Sequence, residues 1–358
     1  MKNDWPVKKL GEVISFEYGK SLPEKIRIPG EYPVYGSNGQ VGLNNKYLIK
    51  GPGVVVGRKG SIGEVVWSEK DFWPIDTTYF IKIREDDDLR FIYYLLQTLN
   101  LDLLNKASGV PGLNRNDAYS LVISVPEINQ QIKIVVRLDA IRKAQELVDF
   151  QIQKTEELFL AALKEELEKK DNLQNLGELV KLKNGRAFKT SEWKSLGIPI
   201  IRIQNLNNND ASFNYFNGTY SKDILIKEGD LLFSWSGTIG TSFGAHIWIK
   251  EDGLLNQHIF KVNIHNDNTI NKKYLYYYLK KITADIEKNA HGAVGLVHVT
   301  KTELDKTKIN VPALKNQVKI VEKLDAIQDY KKLLQKRKTL YKELFDSVLD
   351  KSMKGELD

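Results

Sequence analysis

The chain of 358 residues is 42% hydrophobic and 28% charged, with a formal net charge of +7 and a pI of about 9.1; its length suits two or three domains and its basic balance a polyanionic partner. Cysteine is absent, which excludes disulfides, thiolate metal sites and cysteine nucleophiles. No run of about 18 apolar residues exists to span a membrane, and Met1-Lys2-Asn3-Asp4-Trp5-Pro6 has no apolar signal core, so a cytoplasmic protein with no membrane partner is expected.

In chain order, Leu10 to Phe16 alternates like a strand or edge segment, which Gly19-Lys20 ends. Tyr32-Pro33-Val34-Tyr35 is a short strand running into an Asn-Gly-type turn at Gly36-Ser37-Asn38-Gly39. Gly53 to Gly57 is a buried β-branched strand, Arg58-Lys59-Gly60-Ser61-Ile62-Gly63 a turn, and Val65-Val66-Trp67 the next strand. Asp76 to Ile83 is another strand. From Leu89 to Leu104 the apolar residues fall at helical spacing (Ile92, Leu95, Leu96, Leu99, Leu103). A glycine-rich loop from Ser108 to Arg115 and a strand from Leu121 to Val125 lead to Pro126.

The same order then returns. Leu176-Gly177-Glu178-Leu179 repeats Leu10-Gly11-Glu12-Val13, and Gly185-Arg186 repeats Gly19-Lys20, both 166 residues on. Gly237-Thr238-Ile239-Gly240 repeats Gly60-Ser61-Ile62-Gly63 after 177 residues. Asn256-Gln257-His258-Ile259-Phe260 is aligned with Asp76-Thr77-Thr78-Tyr79-Phe80, and the loop at His291 with that at Ser108. Val311-Pro312 and Leu324-Asp325-Ala326-Ile327 repeat Val125-Pro126 and Leu138-Asp139-Ala140-Ile141 at 186. Internal repeats decide the architecture before any single motif does. The expectation is an α+β protein of two repeated α/β domains, 1–126 and 171–312, each followed by a long helix, 127–170 and 313–358.

Both helices carry apolar positions in alternating steps of four and three, a coiled-coil seam. Leu138, Ile141, Val148, Ile152 and Phe159 mark the first, and Leu324, Ile327, Leu334, Tyr341 and Phe345 the second. Pairing the two as an antiparallel coiled coil hides both seams, and polar seam residues Gln145, Lys331 and Lys338 can fix the register.

No catalytic constellation stands out. The Gly57–Gly63 stretch lacks the Gly-Lys-Ser/Thr end of a phosphate loop and leads into a strand. The five histidines all lie in the second half, without the spacing of a zinc set. No Asn-Pro-Pro-aromatic or Asp-Pro-Pro-aromatic tetrapeptide of a base methyltransferase occurs. What remains is binding. Glycine-flanked loops offer donors and aromatics suited to bases and phosphates. In the first half these are Lys20, Tyr35, Ser37, Asn38, Arg58, Lys59, Thr77, Thr78, Asn114 and Arg115. In the second they are Arg186, Arg202, Asn205, Trp235, Ser236, Thr238, Gln257, His258, His291 and His298.

Two divergent modules, each followed by a Val-Pro and a long helix, resemble the specificity (S) subunit of type I restriction–modification enzymes. The motifs that carry the resemblance are Pro126-Glu127-Ile128-Asn129-Gln130-Gln131-Ile132, the two Leu-Asp-Ala-Ile copies, Gly60-Ser61-Ile62-Gly63, Gly237-Thr238-Ile239-Gly240 and Tyr35-Gly36-Ser37-Asn38-Gly39. Lys315-Asn316 replaces Asn129-Gln130 in the second copy. The resemblance implies two target recognition domains that each read one half of an asymmetric, bipartite double-stranded DNA target. It implies helices that set the spacer and dock two methyltransferase (M) subunits, with restriction (R) subunits joining them. S-adenosylmethionine, ATP and Mg would then be bound by those partners, and this chain would hold no cofactor or metal and catalyse nothing. A stand-alone nucleic-acid-modifying enzyme, or a coiled-coil adaptor with protein- or glycan-binding ends, are the alternatives.

Overall fold

The computed structural model describes residues 5–104, 112–208, 210–238, 242–289 and 296–357. It divides into two compact units, Met1–Phe150 with Gln335–Asp358, and Gln151–Leu334. In the first, a four-stranded antiparallel sheet runs in the order Ile14–Tyr18, Thr78–Ile83, Gly53–Gly57, Val65–Ser68. In the second, the order is Val180–Asn184, Ile259–Ile264, Leu231–Ser234, Gly244–Ile247, again antiparallel throughout. The repeat is therefore a repeat of sheet topology.

Strand pairing corrects one alignment made from sequence. Tyr18 lies opposite Tyr79 and Asn184 opposite Phe260, so Phe260 is the counterpart of Tyr79. Aligning the two Phe residues had matched it with Phe80. A slip of one residue puts every side chain on the wrong face of a strand. The register is fixed by a close approach instead. A Cβ on Gly19 would lie 2.2 Å from the Ile75 carbonyl oxygen, and one on Gly185 would lie 2.0 Å from that of Asn256. Only glycine fits in either place, which is why both copies keep it.

Two other sequence expectations are modified. Leu10–Val13 and Leu176–Leu179 are single helical turns, not strand, each burying both of its leucine or valine ends before the chain turns into the sheet. The helix expected to reach Leu104 stops at Thr98, because Asn100 takes a left-handed φ of 45°; one 3-10 turn, Leu101–Leu104, follows. Its counterpart Lys272–Asn289 continues for 18 residues.

The long helices are Ile128–Leu167 and Leu314–Met353, 40 residues each. In the first unit Gln145 Nε2 donates to the Tyr341 carbonyl (3.0 Å) and Lys338 meets Asp149 (2.6 Å). In the second Lys331 pairs with Glu156, and Lys323 with Glu166 at 2.8 Å. As one residue number rises the other falls, so the helices are antiparallel. All three polar seam residues thus have partners. Leu138, Val148, Phe159, Leu324, Leu334 and Phe345 are buried, while Ile141, Ile152, Ile327 and Tyr341 are half-buried. The seam is only partly a helix–helix surface. Ile134, Leu138 and Phe345 share a core with Phe91 and Tyr94, and Phe159, Leu163 and Leu324 share one with Tyr274 and Leu275.

The repeated motifs clamp each helix to its own unit. Gln131, almost fully buried, accepts from Asp88 N (2.8 Å) and donates to the Pro126 carbonyl (2.9 Å) and to Asp87 (2.6 Å). Gln317 does the same with Asn271 N (2.8 Å), the Pro312 carbonyl (2.7 Å) and the Thr269 carbonyl (3.0 Å). Farther along, Asp139 accepts from Tyr94 and Arg90, and Asp325 from Tyr277 and Lys273.

Candidate nucleic-acid interface

At one corner of each sheet, three backbone hydrogen bonds hold the same frame. Arg58 N donates to the Thr77 carbonyl (2.9 Å) as Trp235 N donates to the His258 carbonyl (3.1 Å). Leu113 N donates to the Arg58 carbonyl (2.9 Å) as Val299 N donates to the Trp235 carbonyl (3.0 Å). Gly19 N donates to the Thr78 carbonyl and Gly185 N to that of Ile259, both at 3.1 Å. Arg58 and Trp235 are therefore equivalent positions, as are Thr77 and His258, Lys59 and Ser236, and Arg115 and Lys301.

The side chains on this shared frame differ. In the first unit the Arg58 guanidinium lies 4.9 Å from the centre of the Tyr18 ring and 5.8 Å from that of Tyr79, and the Arg115 guanidinium 4.7 Å from Tyr18. Tyr18 is half exposed. Burial, then the neighbouring Tyr18 hydroxyl, push the Tyr79 hydroxyl up to about 12, with Arg58 and Arg115 pulling the other way. Lys59 is exposed, and Ser37 sits alongside, its Oγ 3.4 Å from where a Cβ on Gly60 would stand. In the second unit the Trp235 indole stacks on Phe260 (5.8 Å, 29° between planes), with His258 at 4.9 Å and His298 at 6.2 Å. Its Nε1 donates to Asn184 Oδ1 (3.1 Å). His258 has a left-handed φ of 72°, and its buried Nδ1 makes no hydrogen bond. One corner is cationic over tyrosines; the other is an indole flanked by imidazoles.

Not every residue singled out from sequence reaches these corners. Tyr35 is buried against Phe72, and Thr78 is fully buried with its hydroxyl donating to the Ile75 carbonyl (2.8 Å). Asn205 is buried and binds Arg202 N (3.0 Å) and the carbonyls of Ala211 and Ser212; Ser236 is buried too. Asn114 is exposed but caps the Arg115–Tyr119 turn. Arg186 is paired with Glu192 and lies over Phe188 and Phe216, and Arg202 lies over Trp193 (4.8 Å). Lys20, Asn38 and Gln257 are exposed loop residues near strand ends. The side chain of Thr238 and all of His291 lie outside the described residues. Sequence reasoning passed over Tyr18, Tyr79, Asn184, Phe260 and Lys301. Tyr18 and Asn184 could have been found as the residues just before the paired glycines.

Among the described residues no group of three or more His, Asp or Glu could hold a metal ion, and no helix is long and apolar enough to cross a membrane. A duplicated frame with two unlike polar–aromatic corners defines a protein built from two related modules with divergent surfaces. The family model for the type I restriction modification DNA specificity domain matches residues 2–157 and 169–341, and the chain belongs to that family. It is 25% identical over 345 residues to a putative type I restriction enzyme specificity subunit of Haemophilus influenzae, covering 90% of this chain and 87% of that one. It is 29% identical over 189 residues to the type I restriction enzyme EcoBI specificity subunit of Escherichia coli, covering 51% of this chain but only 38% of that one. Its fold matches the crystal structure of a type I restriction-modification S subunit from M. genitalium with a TM-score of 0.61 at 17% identity, over 98% of this chain and 96% of the other.

Proposed function

We propose that the chain reads DNA sequence for a type I restriction–modification complex and catalyses nothing itself. Each sheet corner takes one half of an asymmetric, bipartite target in double-stranded DNA. The paired helices set the distance between the halves and dock two methyltransferase subunits, which restriction subunits join. Those partners carry S-adenosylmethionine, ATP and Mg, and the complex works in the cytoplasm.

The observation that carries this reading is the repeated corner. One backbone frame holds Arg58, Lys59, Arg115 and Tyr18 in one unit, and Trp235, His258, His298 and Lys301 in the other. Two readers of one design with unlike side chains suit a target whose halves differ. The docking role is supported by apolar side chains left exposed on the long helices, among them Leu147, Leu158, Leu333, Leu340 and Leu344.

The test is to co-express the chain with its methyltransferase partner and map methylated adenines in host DNA. Methylation confined to one two-part sequence is expected. Methylation without sequence preference, or methyl transfer by this chain alone, would overturn the reading.

A further inference from the structure

We infer that Arg58 reads a guanine in one half of the target, with Tyr18 as the residue that positions its guanidinium; this rests on the DNA-reading role proposed above. The main chain at Arg58 is pinned on both sides, its N–H to the Thr77 carbonyl (2.9 Å) and its carbonyl to Leu113 N (2.9 Å). The side chain is held only by rings: Tyr18 at 4.9 Å and Tyr79 at 5.8 Å. Among the described residues it has no ion pair or hydrogen bond, and its Nε is buried without an acceptor. Other arginines of the unit are matched, Arg90 with Asp139, Arg142 with Gln97 and Arg115 with the Phe16 carbonyl.

A planar cation whose terminal nitrogens find no acceptor among the described residues, laid on a ring platform, is set to receive a planar double acceptor. In the major groove, guanine offers two adjacent acceptors, O6 and N7. Adenine places a donor beside N7, and cytosine presents a donor, so neither accepts both arms of the fork. A phosphate also takes both arms of the fork through two of its oxygens, but the exposed Lys59 beside Arg58 already offers a cation for that contact. Trp235, at the equivalent place in the second unit, has a single donor already given to Asn184. The contact proposed for Arg58 therefore has no counterpart at the equivalent position of the second unit.

The test uses the complex of this chain with its methyltransferase subunit and a pool of duplexes randomised across both halves of the target, with binding measured for each sequence. In the unchanged complex, one position of the first half should demand guanine. Arg58→Lys keeps the charge and loses the fork. It should cut the preference for guanine there by about ten- to a hundredfold, while every other position and the binding of non-specific DNA stay as they were. Tyr18→Leu, at a half-exposed site that tolerates change, should weaken the same preference several-fold and no other. If the sequence preference survives both Arg58→Lys and Arg58→Met, which has no donor at all, Arg58 reads no base and the inference fails while the recognition role stands. If the unchanged complex selects no sequence at all, both fail.

Discussion

The Tyr94 hydroxyl donates to the carboxylate of Asp139, and Arg90 Nε reaches the same oxygen at 2.9 Å. Tyr277 and Lys273 hold Asp325 in the same way, but one on each carboxylate oxygen. The Leu-Asp-Ala-Ile motif is thus a clamp, in which the leucine is buried and the aspartate ties the long helix to the helix of its own unit. Burial, then the bond to the carboxylate, push the Tyr94 hydroxyl well above its ordinary range. Asp139→Ala should cost the first unit about 1.5–3 kcal/mol. Hydrogen exchange should rise across Leu89–Thr98 in this variant, and across Lys272–Asn289 in Asp325→Ala. A rise shared evenly by both units in either variant would contradict the assignment.

Gln317 is fully buried and spends its amide on three backbone groups. Gln317→Ala leaves Asn271 N and two carbonyls without partners, at a cost of about 3 kcal/mol. The same change at the exposed Lys315 should cost almost nothing. Urea unfolding of the two variants side by side measures the difference.

Gly185 has no room for a methyl group, with the Asn256 carbonyl oxygen 2.0 Å from its would-be Cβ. Gly185→Ala must push the Val180–Asn184 strand end away from its neighbour, carrying Asn184 off Trp235. About 3 kcal/mol of destabilisation is expected, together with a change in the indole fluorescence. Gly229→Ala is the comparison: its φ of +82° is also left-handed, but nothing lies within 4 Å, so only backbone strain of about 1 kcal/mol should register.

Burial, then the positive charge of Lys280, depress His246 from 6.5 to about 4, while a hydrogen bond to the Ser242 backbone acts the other way. The unfolded chain takes up a proton as the pH falls through 6.5, whereas the folded chain refuses it until about 4. The stability this neutral imidazole contributes is therefore complete above pH 6.5 and lost between there and 4, by up to about 1.4 kcal/mol per pH unit. His246→Asn should flatten the stability profile in that window. Parallel profiles for the two proteins would show that another group is responsible.

Deleting one heptad from each long helix shortens the pair by about 10 Å. If the helices set the spacing of the two half-targets, the preferred spacer should shrink by about three base pairs, and methylation mapping would report it. An unchanged spacer would exclude a measuring role for the helices.

The periodic parts of the molecule were legible from sequence, since a 186-residue repeat and a steady four–three spacing need no knowledge of the surroundings. The site was legible only as a neighbourhood. Tyr35, Thr78, Asn205 and Ser236 have the polar chemistry of readers but are buried, two of them visibly bonded to the backbone around the turns. A polar residue beside glycine serves its own loop as readily as it serves a ligand, and sequence alone does not separate the two. Tyr18 escaped notice for the opposite reason. It lies beyond the alternating stretch from Leu10 to Phe16 and carries no charge, and only the two guanidinium groups on its ring reveal what it supports.

The first unit is made from two stretches of chain, and Phe345, Val348, Leu349 and Met353 belong to its core. The second is one unbroken stretch, Gln151–Leu334. During synthesis, therefore, the unit begun first is completed last. Its Tyr94 and Arg142 wait, uncovered by Phe345, while the whole of the second unit is made and can fold. A ribosome that stopped just after Leu334 would leave the second unit whole and strip the first, nearly two hundred residues upstream, of the side chains that close it.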